Sequence, residues 1–124
     1  MLQYTAAPDL AVFDHLQKAK KPTTVIYEGA LGLAENLVGK DGSIAIRICH
    51  EVFCKQLNKR FRKPIVSTSA NISGESIAKT FKEIKQAIKD GADYIVQYRQ
   101  DDNKFSEPSS LIKWENGKIE ILRP

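Results

Sequence analysis

The chain has 124 residues, 42% of them hydrophobic and 27% charged, which suits a single folded domain spanning 1–124 and excludes a disordered chain. Nineteen Lys and Arg against fifteen Asp and Glu leave a net charge of +4, compatible with a polyanion such as RNA or a nucleotide, though many basic domains bind neither. No apolar run approaches the roughly 20 residues that cross a bilayer. The segment Met1 to Thr5 has neither a basic n-region nor an apolar h-region, so the expected address is the cytoplasm, with no membrane partner. Cys49 and Cys54 read as free thiols. With only His15 and His50 beside them, they form no zinc set, and no side-chain metal cage is expected.

Asp9, after Pro8, is placed to cap an amphipathic helix over roughly 9–19, with Leu10, Val12, Phe13, Leu16 and Ala19 as its apolar positions. Lys20-Lys21-Pro22 stops it, and the β-branched run Thr23 to Tyr27 reads as a strand. The glycine-punctuated segment 29–42 reads as a loop with one helical turn. Ser43 to Cys49 is nearly all apolar except Arg47, and predicts a strand covered on both faces. Phe53, Leu57 and Phe61 recur at every fourth position, with Val52 alongside, and predict a helix over His50 to Phe61. Pro64-Ile65-Val66 opens a third strand. Thr80 is placed to cap a helix striped by Phe81, Ile84, Ala87 and Ile88, with Gly91 at its C′ position. Tyr94 to Tyr98 reads as a fourth strand, and the polar segment 99–108 as a loop. Two final strands, Ser110 to Trp114 and Lys118 to Leu122, flank Asn116-Gly117, a hairpin signal because a type I′ turn needs positive φ at both centres. The pattern is α/β, with helices packed on a twisted mixed sheet.

Five features bear on chemistry. Ser67, Thr68, Ser69, Asn71, Ser73 and Gly74 crowd small polar groups after the strand at Ile65-Val66, where α/β sheets collect ligands; an ordinary Ser/Asn/Gly turn is the plainer reading. Arg47 in an apolar strand must either meet an acidic side chain or hold a carboxylate or phosphate, and Ser43 falls four residues earlier on the same predicted face. Glu107-Pro108-Ser109-Ser110 presents two hydroxyls at a strand entry, or simply makes the turn. Arg123 is either a ligand group or a solvated terminal charge. The run Lys59-Arg60-Phe61-Arg62-Lys63 is a solvated helix end or a phosphate-contact patch. No P-loop, GxGxxG, HExxH or paired acidic motif is present.

These residues resemble a known family. Val66-Ser67-Thr68-Ser69-Ala70-Asn71-Ile72-Ser73-Gly74 is similar to the Ser-Thr-Ser-Ala-Asn-x-Ser-Gly signature of YrdC-like threonylcarbamoyl-AMP synthases. In the same order, Lys21 to Tyr27 resembles that family's Pro-x-Thr strand, Gly42 to Arg47 its Thr-x-Gly-x-Arg strand, Pro108 to Ile112 its Pro-Ser-Thr-Val-Val turn, and Ile121 to Pro124 its closing Leu-Arg-Pro. The resemblance implies a YrdC-like fold and synthesis of threonylcarbamoyl-adenylate from L-threonine, bicarbonate and ATP, with release of pyrophosphate, for tRNA modification. It implies threonine contacts from Arg47, Ser69 and Ser109, and ATP or adenylate contacts from Ser43, Ser67, Asn71, Thr80 and Arg123. Magnesium would arrive with ATP as substrate, with no tightly bound cofactor. The family's Gly-Thr-x-Tyr-Gly-Leu segment and Lys-x-Arg phosphate grip do not occur here, and Lys18-Ala19-Lys20 falls inside a helix pattern. Cys49 stands where the family often has proline, Glu51 where it often has histidine, and Ser110 replaces a threonine. The domain is therefore expected to be incomplete at its N-terminus. A partner chain or second copy would cover an open sheet edge, and tRNA or double-stranded RNA is a further candidate partner. The alternative is a non-catalytic nucleotide- or double-stranded-RNA-binding module.

Overall fold

A computed structural model describes residues 2–6, 9–105 and 107–124. The chain divides into two compact units, one formed by residues 1–60 and 108–124 and the other by residues 61–107.

The first unit is built on a four-stranded sheet ordered β2-β1-β3-β4, with β1 Thr23–Tyr27, β2 Ile44–Arg47, β3 Ser110–Glu115 and β4 Lys118–Arg123. β1 runs antiparallel to β2 and parallel to β3, and β3 runs antiparallel to β4, so the sheet is mixed as expected. β1 alternates strictly: Thr23, Val25 and Tyr27 are buried, while Thr24 and Ile26 face the other way and are half-buried. Ladder partners share a face, so Ile44 and Ile46 of β2 and Ile112 of β3 join Val25 and Tyr27. Trp114, two residues beyond Ile112, completes that layer. Helix α1, Ala11–Lys18, packs Val12 onto it, and the buried apolar cluster is Val12, Val25, Tyr27, Ile44, Ile112 and Trp114.

Asp9 fixes the entry to α1. Its Oδ1 accepts from the Ala11 amide at 2.9 Å, and its Oδ2 accepts the Trp114 indole N–H at 2.8 Å. One carboxylate therefore caps the helix and satisfies the polar edge of the largest core side chain. Pro8 lies outside the described residues. The predicted turn within 29–42 is a short 3₁₀ segment at Glu35–Leu37. The Asn116-Gly117 hairpin is present, with φ of +51° and +72°. Helix α2, Val52–Phe61, follows β2.

Several expectations are corrected. The strand of Ser43 to Cys49 shortens to Ile44–Arg47, and its outer face is open, because Ala45 and Arg47 are exposed. The apolar positions of α2 bury no residue, and Val52 is 70% exposed. In the second unit, neither Pro64 to Val66 nor Tyr94 to Tyr98 forms a strand. Among the described residues neither segment has a ladder partner, and an apolar run without one cannot hold extended pairing. Thr80 makes no side-chain cap bond; it precedes a 3₁₀ turn, Phe81–Glu83, and then helix α3, Gln86–Asp90. Gly91 ends α3 at φ −80°, so it closes the helix without the left-handed conformation expected of it.

Candidate functional site

β1 supplies the first unit's candidate site. The alternation that sends Val25 inward sends Thr24 to the opposite face, and the ladder places its partners beside it. Thr24 pairs with Arg47 on β2 and with Leu111 on β3, and Leu111 pairs with Arg123 on β4. By ladder partners, one row across the sheet reads Arg47, Thr24, Leu111, Arg123, with a cation at each end and a hydroxyl between, and the β3–β4 register shifts by a bulge between Leu111 and Ile112, next to Arg123.

Ser109, just before β3, closes on this row. Its Oγ lies 2.8 Å from Thr24 Oγ1, and its carbonyl accepts from Arg123 Nε at 2.9 Å. That last bond directs the terminal guanidinium back over the strand entry. Pro108 and the bond from the Ser110 amide to the Pro22 carbonyl, 2.9 Å, hold the entry against the start of β1. Arg47 is exposed at the end of β2. Of the two readings of Arg47, an acidic side chain or an outside carboxylate or phosphate, the first finds no acidic partner among the described residues. A guanidinium open to solvent can take a planar carboxylate or a phosphate in a two-point grip.

The next row on this face carries charge of both signs. Lys113 lies 3.0 Å from Glu115 and 3.4 Å from Glu28, and Glu115 chiefly holds the Lys113 ammonium above its ordinary value. Lys113 is thereby occupied by acids of its own chain, which leaves the two arginines as the row's groups for an outside anion.

Ser43 lies apart from this row. It precedes β2 at the end opposite Arg47, and its hydroxyl donates to Asp41 Oδ1 at 2.7 Å while its amide donates to the same oxygen at 3.1 Å. These bonds pull the Asp41 carboxyl below its usual value. The shared strand face expected for Ser43 and Arg47 is not realised, because Ser43 belongs to the turn.

The second unit carries Ser67, Ser69, Asn71 and Thr80. Ser67 and Ser69 are exposed on irregular backbone, not at the end of a buried strand, since Ile65 and Val66 are themselves 45% and 66% exposed. Asn71 organises the loop that follows. Its Nδ2 donates to the carbonyls of Ile72 at 3.0 Å and Glu75 at 3.2 Å, and Gly74 takes the turn at φ +84°. Asn71 Oδ1 is buried and has no hydrogen-bond partner. A buried amide acceptor without a donor is unusual, and it sits in a hollow lined by Glu75, Ser76, Ile77, Glu83 and Lys85. Glu75 and Lys85 pair across the hollow at 2.7 Å. Thr80 is half-buried and contributes its carbonyl to the Glu83 amide.

Sequence reasoning missed Thr24. Its signal was available: in a five-residue strand with buried first, third and fifth positions, the second position must face the other way. Among the described residues no group of three or more potential metal ligands occurs, and no helix is long and apolar enough to cross a membrane.

The family model of the Sua5, YciO and YrdC proteins, described as "Telomere recombination", matches residues 3–124. The chain belongs to this family. Its similar relatives include a protein named threonylcarbamoyl-AMP synthase from Wigglesworthia glossinidia brevipalpis, 39% identical over 83 residues, covering 67% of this chain and 41% of the relative. A protein of the same name from Pseudoalteromonas translucida is 34% identical over 96 residues, covering 77% and 50%. Another from Haemophilus influenzae is 39% identical over 83 residues, covering 66% and 44%. The chain thus spans about half the length of the curated relatives it matches or somewhat less, 41% to 50% in these three. No solved structure matches it. The mixed sheet with its helices agrees with the α/β, YrdC-like fold expected from the sequence.

Proposed function

We propose that this chain carries ligand-binding parts of a threonylcarbamoyl-AMP synthase, the activity that makes threonylcarbamoyl-adenylate and pyrophosphate from L-threonine, bicarbonate and ATP. The observation that carries the proposal is the Arg47–Thr24–Leu111–Arg123 row, closed by the Ser109 hydroxyl and carbonyl. Arg47 is the proposed holder of the threonine carboxylate, with the Ser109 and Thr24 hydroxyls able to donate or accept beside it. Arg123 is the proposed contact for the anionic adenylate. In the second unit, the unpartnered Asn71 Oδ1 is an acceptor for a donor on the nucleotide.

Such chemistry asks little covalent work of the protein. Threonine nitrogen must reach bicarbonate, and the resulting carbamate oxygen must reach the α-phosphate of ATP, with pyrophosphate leaving. Fixed guanidinium, hydroxyl and amide groups promote this by positioning the reactants and offsetting their negative charge. Magnesium would come with the nucleotide. The Lys-x-Arg phosphate grip named above is not among this chain's residues, so the proposal assigns the chain binding of threonine and nucleotide and leaves the pyrophosphate end without a named group. A tRNA or double-stranded RNA partner and a cytoplasmic location belong to the same proposal; the net charge of +4 supports the first.

Titration calorimetry with L-threonine, and separately with ATP and magnesium, tests this reading. Arg47→Ala should weaken threonine binding at least tenfold, the loss of a charge-assisted contact of about 1.5–3 kcal/mol. The exposed position of Arg47 predicts an unchanged melting temperature. Asn71→Ala should weaken the nucleotide and leave threonine alone. A folded chain that binds neither ligand, or an Arg47→Ala variant that binds threonine as before, overturns the assignment.

A further inference from the structure

Thr24 and Ser109 lie 85 residues apart in the chain, and their hydroxyls meet at 2.8 Å. Both residues are half-buried, and among the described residues neither hydroxyl has another hydrogen-bond partner. Each hydroxyl carries one proton and two lone pairs. Their mutual bond uses one proton, so the pair keeps the other for an outside acceptor. The main chain around Ser109 is fixed separately. Its carbonyl accepts from Arg123 Nε at 2.9 Å, and the next amide, of Ser110, donates to the Pro22 carbonyl at 2.9 Å. What remains is the Ser109 side chain, and Thr24 is the group that holds it. Thr24 is itself stiff, because it is β-branched and its strand is paired on one side at Arg47 and on the other at Leu111.

We propose that Thr24 is a positioning residue for the threonine carboxylate and acts through Ser109. The assignment rests on the binding of threonine proposed above for this row. An anion decides the direction of the hydroxyl pair. A hydrogen bond from a hydroxyl to a carboxylate is roughly twice as strong as one between neutral groups. The Ser109 proton therefore goes to the carboxylate, and a Ser109 lone pair accepts from Thr24. Donation then runs one way, from Thr24 to Ser109 to the anion, and each bond polarises the next. Without the Thr24 hydroxyl, the Ser109 side chain is free to turn among its staggered rotamers, and a ligand must bear the entropy of ordering it. Arg47, the ladder partner of Thr24, supplies the charge; the hydroxyl pair supplies direction.

A double-mutant cycle read by titration calorimetry with L-threonine tests this on the full chain. Ser109→Ala should weaken threonine about tenfold, the loss of a bond to a charged group, and Thr24→Val about fivefold, the loss of a neutral one. Thr24→Ser, which restores the hydroxyl, should stay within about twofold of wild type. The variant carrying both Thr24→Val and Ser109→Ala should bind as Ser109→Ala alone does, since no side-chain hydroxyl is left to orient. Valine keeps the shape of threonine and suits a strand; Thr24→Ala gives the same reading if the valine variant folds poorly. Additive losses in the double variant would overturn the proposal, because Thr24 would then act without Ser109. So would Thr24→Val binding as wild type, or Thr24→Ser binding no better than Thr24→Val. A folded wild-type chain that binds no threonine would remove the binding reading itself, and this assignment with it.

Discussion

The two units differ in whether they bury apolar residues: every buried hydrophobic residue described lies in the first, although that unit also exposes residues such as Val52 and Ile121. In the first, Val25, Ile112 and Trp114 are buried in one layer, and the ladder that buries them also fixes the Arg47–Thr24–Leu111–Arg123 row on the other face. In the second, Ile65, Val66, Ile72, Ile77, Tyr94 and Phe105 are all exposed, and no residue of α3 is buried. Its order rests on local hydrogen bonds such as Asn71 to Ile72 and Glu75. The lesson is that alternation becomes a strand only where a neighbouring strand accepts its hydrogen bonds. β1 has a ladder partner on each side; among the described residues no strand ladder includes the segment Tyr94 to Tyr98.

Truncating one apolar residue from each unit would break this comparison most sharply. Trp114 is 8% exposed and donates its indole N–H to Asp9, so Trp114→Ala should cost about 3–5 kcal/mol, the usual range for a buried aromatic. Val66 is 66% exposed, and Val66→Ala should change stability by no more than about 0.5 kcal/mol. Urea unfolding followed by far-UV circular dichroism measures both. Similar losses at the two positions would mean that Val66 is buried in solution and that the contrast between the units is false.

The legibility of the sequence follows the same division. β1, the hairpin and α1 could be read because their signals are local: a period of two, two residues that accept positive φ, and a polar cap before an apolar stripe. The Arg47–Arg123 row could not, because it depends on β1 pairing parallel to β3 across more than 80 residues of chain. Composition pointed to Arg47, Ser109 and Arg123 one at a time; only the ladder register puts Arg47 and Arg123 in one row across the sheet, with Ser109 at its edge. Ser43 misled in the other direction. Counting by two placed it on the Arg47 face, but Asp41 draws its amide and hydroxyl into a turn before the strand begins. In the second unit, the small polar run at Ser67 to Gly74 was visible as composition, while the unpartnered oxygen of Asn71 is a property of the folded loop.

A pair of glycines sharpens the contrast at smaller cost. Gly117 and Gly74 both sit at positive φ, +72° and +84°, with no crowding atom closer than ordinary contact. Alanine at either place therefore pays only the backbone penalty, about 1–2 kcal/mol. Gly117 lies in the hairpin that sets the β3–β4 register, so Gly117→Ala should lower the global unfolding midpoint by that amount. Gly74→Ala should leave the midpoint nearly unchanged and instead speed amide hydrogen exchange around Glu75, whose N–H donates to the Ile72 carbonyl. Equal global effects would show that the loop unfolds together with the sheet.

The smallest expected effect is one of pH, and it too belongs to the first unit. Burial pushes the Tyr27 hydroxyl from 10.0 up to about 12. In the unfolded chain this group ionises near 10, so between about pH 10 and 12 the unfolded state binds fewer protons than the folded one, and stability falls as pH rises. The stabilisation is fully present below pH 10 and is lost through that window. Tyr27→Phe should flatten this alkaline slope. The measurement is the urea midpoint at closely spaced pH values through the window. A slope that survives Tyr27→Phe would place the alkaline loss in another group, and would remove Tyr27 from the layer on which the Arg47 face is built.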